Sequence, residues 1–415
     1  MSRHRIAYVL IVLAFLGINV APVHAKSQLA IGQQVYEKMQ QAQVLLEEKN
    51  YDGAKAKLME ILEEKKLNNF EIAQTWSLHG NVNFHMERFD LALQDFEKVL
   101  TFDDLPPGFL QLSLRTAAQL AFMQDEYDRA LKHANRLLTV VESQDGEIYM
   151  LLSQIYYKKE EMQPALKNSL KAIEIERGLG KTIKENWLLV LNAIYYNLED
   201  YSSMEGVLKE LIQVYPKDMY VKNLAAVYGQ TDRTKEQLLL MEPLYEKGYL
   251  KTESELVNLA QLMNVHQVPY KAAVIMEKAF KEEKVERNRR NLELTSQSWQ
   301  VAAEGDLAAK YLAEAAAMGK DANTFVRLAQ IYMNMYKWKE AEGALEKALK
   351  YGDLDREGNA HLLLGMVRFY QNNYREAKKA FREAEEFDDA AKLADQWIAY
   401  VDQEQAKQDA ANAVN

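Results

Sequence analysis

A column of alanines constrains this chain more than any other feature. Ala54, Ala92, Ala130, Ala165, Met204, Gln237, Ala272, Ala308, Ala341 and Ala377 recur at spacings of 33 to 39, and eight of these ten positions are alanine. Upstream of each lies a second position, read as Ala42, Gly80, Ala118, Ser153, Asn192, Ala225, Ala260, Ser296, Ala329 and Gly365, where nine of ten are small. Two helices joined by a tight turn pack closely only where one presents no bulk at the crossing. The two columns together therefore describe helix pairs. Between the helices a turn residue, often aromatic or Leu, is expected to plug each pair: Tyr51, Phe89, Tyr127, Tyr201, Leu307, Trp338 and Tyr374. Apolar residues recur at three and four positions rather than two, so helix after helix is expected from Lys26 onward.

The clearest pair spans 358–389, where GNAHLLLGMVRFY is followed by a QNNY turn and REAKKAFREAEEF. This segment resembles the tetratricopeptide repeat, a pair of helices over about 34 residues. Leu364-Gly365, Tyr374, Ala377, Phe381 and Ala384 fill that pattern, and Arg368 departs from it where an aromatic is common. The likeness covers about 33–389. It implies an all-α fold, an α-solenoid of about ten helix pairs wound as a right-handed superhelix with the first helices lining the inside. The expected organisation is N-terminal units over 33–176, an inter-unit loop at 177–184 and C-terminal units over 185–389. A capping helix over 390–402, using Leu393, Trp397 and Ile398, and a flexible tail at 403–415 complete it. The units around Met204 and Gln237 are the least regular, and their register is open to a shift of one helical turn.

Residues 1–25 differ from the rest. Arg3 and Arg5 precede an apolar run over 6–20, and Val23-His24-Ala25 places small residues where a signal peptidase reads them. A cleaved secretory signal and a periplasmic or secreted chain are expected, the rival being an uncleaved anchor. With no cysteine, the fold must hold by packing without disulfides, and no lipidated cysteine follows the signal. The formal charge of −10 becomes −12 once Arg3 and Arg5 are removed. Acidity of that kind opposes phosphate neutralisation, which argues against nucleic acid and anionic membrane surfaces.

Chemistry is sparse. ERGLGKT at 176–182 ends like a P-loop, but Ile175 stands where that loop needs its first Gly, and what precedes is helical rather than a strand. Gly178 and Gly180 read as helix-ending and turn residues, and Lys181 as a solvent-facing charge. No nucleotide, cofactor or metal is expected: His79, His85, His133, His266 and His361 lack the HExxH spacing, and there is no cysteine to complete a zinc set. Acidic pairs such as Glu63-Glu64 read as solvated faces, and no GxSxG is present. An enzyme is not expected.

One polar pattern stands out. The residue after each small position is Gln43, Asn81, Gln119, Gln154, Ala193, Ala226, Gln261, Gln297, Gln330 and Met366, an amide in seven of ten. In the repeat family this position lines the inner face, so a ladder of amides there can bond the backbone of an extended peptide without reading its sequence. Phe84, Phe122, Tyr157 and Tyr196, three residues further on, are candidates to receive its side chains. The competing reading is that Gln is a water-tolerant helix former and the aromatics are inter-helix packing.

A narrower resemblance lies in LVNLAQLMNVHQVPYKAAVIMEKAF, RNLELTSQSW, GNAHLLLGMVRFYQNNYREAKKAF and DQWIAYV. These are similar to periplasmic tetratricopeptide proteins that accompany TonB, ExbB and ExbD. The resemblance implies a non-catalytic adaptor in energised transport, touching the membrane only through partners. A scaffold for envelope assembly or polysaccharide export is the alternative, and a divergent enzyme on a repeat platform the third reading. If the signal is cleaved after Ala25, the protein recovered from its native host has Lys26 as its N-terminal residue by intact mass. A mass retaining Arg3 and Arg5 establishes the anchor instead.

Overall fold

The repeat columns find their cause in the way each helix pair crosses. The computed structural model describes residues 30–142 and 145–414, so the expected signal segment lies outside the described residues. The described residues contain 21 helices and no strand. The chain divides into two compact units, 1–199 and 200–415; the loop expected to separate the halves lies one helix earlier, at 177–184.

The first unit holds α1 (Gln33–Glu47), α2 (Tyr51–Leu62), α3 (Asn69–His85), α4 (Phe89–Val99), α5 (Pro107–Met123), α6 (Tyr127–Val140), α7 (Gly146–Lys158), α8 (Met162–Gly178) and α9 (Glu185–Asn197). Here α1 pairs with α2, α3 with α4, α5 with α6 and α7 with α8, each pair stacking on the next. The second unit holds α10 (Tyr201–Val214), α11 (Asp218–Gln230), α12 (Thr234–Glu246), α13 (Glu253–Val265), α14 (Pro269–Lys281), α15 (Arg289–Val301), α16 (Gly305–Gly319), α17 (Ala322–Asn334), α18 (Trp338–Tyr351), α19 (Glu357–Tyr370), α20 (Tyr374–Glu385) and α21 (Ala391–Val414). From α11 onward consecutive helices again pair, and α21 lies across α20 and α19. The all-α class of paired helices expected from the sequence is the fold.

Every member of the alanine column is the fourth residue of its helix, including Met204 in α10 and Gln237 in α12. The register therefore runs through the irregular units without a shift. Gln237 is buried, and Gly229 leaves it room: a Cβ there would lie 2.9 Å from the Gln237 amide. The eight alanines are fully buried, and the small position sits twelve residues before each. Where that position is Ser, its hydroxyl donates to the carbonyl of the facing alanine: Ser153 to Ala165 and Ser296 to Ala308, both at 2.8 Å. Where it is Gly, a phenylalanine fills the vacated space. A Cβ on Gly80 would come within 3.1 Å of the Phe96 ring, and one on Gly365 would overlap the Phe381 ring outright. Glycine and phenylalanine are thus one packing unit.

The turns inside the pairs share one geometry. Lys49, Glu87, Asp125, Glu160, Asp232, Gln267, Ala303, Tyr336 and Asn372 all have φ between 55° and 62°. The next residue's N–H donates to a carbonyl five residues back, as Asn50 does to Leu45 and Lys337 to Tyr332. This is the Schellman arrangement, which satisfies the last carbonyls of the first helix. Here it is built without glycine. At helix starts, Asn68 with Glu71 and Thr252 with Glu255 form capping boxes. Burial pushes the Glu255 carboxyl up, but hydrogen bonds from Lys222 and from the Thr252 and Lys251 N–H groups bring it down to about 2.

Three details differ from expectation. Leu307 is not a turn plug: it is the third residue of α16, and the plug position is Gly305, because Met335 Sδ occupies the space a side chain there would need. Leu393 is 49% exposed; Ala394 and Val401 are buried beside Phe381 and Ala384, with Trp397 and Ile398 packed against them. Finally, α21 continues as helix to Val414, through residues expected to form a tail. Arg368, the departure from the repeat pattern, spends its guanidinium on Glu342 at 2.7 Å and Glu346 at 3.1 Å, tying α19 to α18.

Gly365→Ala gains helix propensity of about 1 kcal/mol but forces the Phe381 ring aside, a cost of about 1–3 kcal/mol. Hydrogen exchange in α19 and α20 should accelerate in this variant. Phe381→Leu added to it should recover part of the loss; additive effects of the two changes would contradict the pairing.

Candidate binding surface

The seven amides occupy one register position, one residue past the buried crossing, on the first helix of their pairs. Their exposure is not uniform. Gln43 on α1, Gln261 on α13, Gln297 on α15 and Gln330 on α17 are exposed, Gln119 on α5 and Gln154 on α7 are half-buried, and Asn81 on α3 is only 9% exposed. None of their side chains bonds to another described residue. A helical amide with nothing to bond inside the protein keeps one acceptor and two donors for water or a ligand. Ala193, Ala226 and Met366 interrupt the series on α9, α11 and α19.

In the first unit the structure brings Asn81, Phe84 and Gln119 together around a crevice floored by Phe96 and Leu120, but its cavity volume is about 10 Å³, room for about one water. The aromatic set divides. Phe84 lies 5.4 Å from Phe89 and Phe122 lies 6.2 Å from Tyr127, so both rings are engaged with the turn residues of their own pairs. Tyr157 is half-buried and its hydroxyl accepts from Asn197 Nδ2 at 3.4 Å. Tyr196, 63% exposed, remains open.

Sequence reasoning missed a buried polar network on α3 and α4. Asp95 Oδ2 accepts from Asn83 Nδ2 at 2.6 Å and lies 2.6 Å from His79 Nδ1. Lys98 reaches its other oxygen at 3.0 Å, and Lys55 of α2 donates to Asn83 Oδ1 at 3.0 Å. Lys98 also lies 3.5 Å over the Trp76 ring. Burial pushes the Asp95 carboxyl up, but its bonds to His79 and Lys98 prevail and hold it below its ordinary value. On the other side of α4, Glu97 takes Arg129 and His133 of α6; burial holds His133 below the usual histidine range even with Glu97 beside it. The i, i+4 spacing of His79 and Asn83 was the available signal, but its meaning depends on where α4 crosses. These groups fasten helices. Among the described residues no cluster of three or more His, Cys, Asp or Glu is arranged to hold a metal.

The ERGLGKT segment is the end of α8. Gly180, at φ 69°, follows the last turn, the Lys181 N–H donates to the Glu176 carbonyl at 3.0 Å, and the Lys181 ammonium lies 3.1 Å from the Glu176 carboxylate. Helix stands where a P-loop needs a strand, and the lysine is paired within the loop.

Two segments, 146–178 and 358–390, match the model of the tetratricopeptide repeat family. They are the α7–α8 and α19–α20 pairs. These two pairs are tetratricopeptide repeats. Six of the other eight pairs place alanine at the same fourth position of the second helix, so the same register extends beyond the matched segments. No curated protein matches the sequence. Among solved structures, a tetratricopeptide repeat protein from Parabacteroides merdae is 16% identical over 64% of this chain and 99% of its own, with a TM-score of 0.40. The C-terminal part of a TPR repeat-containing protein from Cytophaga hutchinsonii is 15% identical over 58% of this chain and 93% of its own, at 0.45. The TPR2AB domain of yeast Sti1, in its pHSP90 complex, is 13% identical over 67% of this chain and 99% of its own, at 0.37. No helix among the described residues is long and apolar enough to cross a membrane.

Because Asp95 is held below 3.8, its ordinary value, the stability it contributes is full above that pH and is lost as pH falls through the lower folded value. Hydrogen exchange in α3 and α4 should therefore accelerate in that acid window. Asp95→Asn should cost about 1–3 kcal/mol at neutral pH and remove this part of the acid dependence; an unchanged pH profile would show the network to be inert.

Proposed function

We propose that this chain is a non-catalytic scaffold that holds a partner protein or extended peptide on the exposed faces of its first helices, working in the periplasm as an accessory to TonB–ExbB–ExbD transport. One observation carries the binding half: amides recur in one register on consecutive first helices, exposed in α13, α15 and α17, and none is spent inside the protein. Repeat arrays use such surfaces to hold extended partners, where main-chain hydrogen bonds supply affinity. The absence of a charged residue from this column fits recognition of a backbone rather than of a carboxylate or phosphate. The transport half rests on the resemblance of the segments within 251–401 to the TonB-associated proteins, and the location on the secretory pattern of residues 1–25.

A photoreactive residue in place of Gln297, crosslinked in living cells, tests both halves. TonB or ExbD in the adducts supports transport. Envelope-assembly or export components support the scaffold and replace its assigned partner. No adduct from Gln297, Gln261 or Gln330, with adducts from second-helix positions such as Lys310, would move the binding face elsewhere.

A further inference from the structure

We propose that the second-helix side of the joint between the α3–α4 and α5–α6 pairs is an acid-released clasp: protonation of His133 lets α6 draw away from α4. The clasp lies wholly within the first unit and stands whatever the amides hold.

Three residues of α6 make it. Arg129, His133 and Arg136 stand at i, i+4 and i+7, one stripe of the helix, and each reaches the C-terminal end of α4. Arg129 holds the Glu97 carboxylate through Nε at 3.2 Å and Nη2 at 2.5 Å, His133 Nε2 lies 2.9 Å from Glu97 Oε1, and Arg136 Nη1 donates to the Leu100 carbonyl at 3.0 Å. Leu100 is the C-cap of α4, and the carbonyl end of a helix attracts cations. The middle of the stripe is the driest part: the His133 side chain is 7% exposed, against 39% for Arg129 and 32% for Glu97. Three residues past the alanine-column position, His133 is the only histidine in the ten units.

A neutral His133 completes this arrangement, and its cation breaks it. The neutral ring donates Nε2–H to Glu97 and asks nothing more. Protonated, it sets a third positive charge between two guanidinium groups, one turn away on either side, against a single carboxylate that Arg129 has already taken. Like charges at this helical spacing repel, and burial adds to the cost of the charged ring. Glu126, the other carboxylate beside the stripe, is also paired with Arg129, and Lys132 adds a further cation. On α4, Asp95 is turned to His79 and Lys98. On α5 the one charged side chain, Arg115, is held by Asp145; α7 carries Glu147, paired with Lys184, and Lys158. The charges that act on the ring are those of Glu97, Lys132 and Arg129.

The sign of the pH dependence follows. Burial holds His133 below 6.5, its ordinary value, and outweighs the pull of Glu97. The stability it lends is therefore full above pH 6.5 and is lost as pH falls through the lower folded value. Burial pushes Glu97 up, but Arg129 and His133 hold it below 4.5, so the carboxylate stays charged while the ring titrates. The same two pairs meet on their first-helix side at the crevice lined by Asn81 and Gln119. Between the two edges, Leu100, Leu114 and Ala117 are buried in one apolar cluster that spans both pairs and keeps them joined when the clasp lets go. Acid thus changes the spacing of the pairs without unfolding them.

The test uses the full chain, which has no cysteine of its own. Gln94→Cys on α4 and Asn135→Cys on α6, both at exposed positions, carry spin labels, and pulsed electron paramagnetic resonance reads the distance between them from about pH 8 to about pH 4.5. That range lies above the one in which Asp95 titrates. The distance should lengthen by about 2–5 Å as pH falls, reversibly and with an unchanged circular dichroism spectrum. His133→Gln keeps a neutral N–H donor and takes no proton, so it should hold the short distance throughout. Glu97→Gln removes the counter-charge and should show the longer distance already at the alkaline end. An unchanged distance in the chain that retains His133 and Glu97, or the same acid lengthening in His133→Gln, overturns the proposal. So does a Glu97→Gln variant that keeps the short distance at every pH, which decides the matter even where His133→Gln does not fold.

Discussion

Everything in this structure depends on the close crossing inside each helix pair. A small residue on the first helix meets an alanine turn on the second, and the approach is tight enough that a serine at the small position reaches the facing carbonyl. Where the second helix carries Phe96 or Phe381, the first has given up even a methyl group. Protein interiors are dense enough that one methylene in the wrong place is felt. The crossing therefore fixes rotation as well as distance. Once rotation is fixed, the residue after the small one is carried out of the crossing, and in α13, α15 and α17 this is an exposed Gln. Packing and the candidate surface are set by adjacent positions.

The crossing was legible in the sequence because it repeats. A single Ala twelve residues after a single Gly says little; alanine in eight of ten units is hard to produce by any other fold. That same regularity carried the register through Met204 and Gln237, where the residue type had changed and the place in the helix had not. The turns were less readable. Their positive-φ residues include Lys49, Glu87, Gln267 and Tyr336, with no glycine to mark them, because the Schellman hydrogen bonds impose the conformation whatever the side chain. Leu307, the nearest apolar residue, does not mark the plug for a related reason: the space at Gly305 is filled from another turn by Met335.

The candidate surface was legible as a column of residue types but not as a set of exposures. Burial of Asn81 and half-burial of Gln119 and Gln154 follow from how neighbouring pairs stack, with Phe84 and Phe122 turned toward Phe89 and Tyr127. No periodicity in one helix reveals that. The His79–Asp95 network was hidden likewise, since its partners come from three helices and only the crossing brings them together. In the second unit the amides remain free beside exposed Val265, Val301 and Tyr370.

The central claim is that two neighbouring residues on one helix divide the labour, one closing the pair and the next facing a partner. Ala329 and Gln330 test it most directly, because the first is fully buried and the second exposed. Native-state hydrogen exchange of Ala329→Leu and Gln330→Leu compares them with the same added side chain. The account predicts faster exchange throughout α17 and α18 in Ala329→Leu, a cost of about 1–3 kcal/mol from overpacking, and unchanged exchange in Gln330→Leu. Equal effects at the two positions, or a larger effect at Gln330, would contradict it.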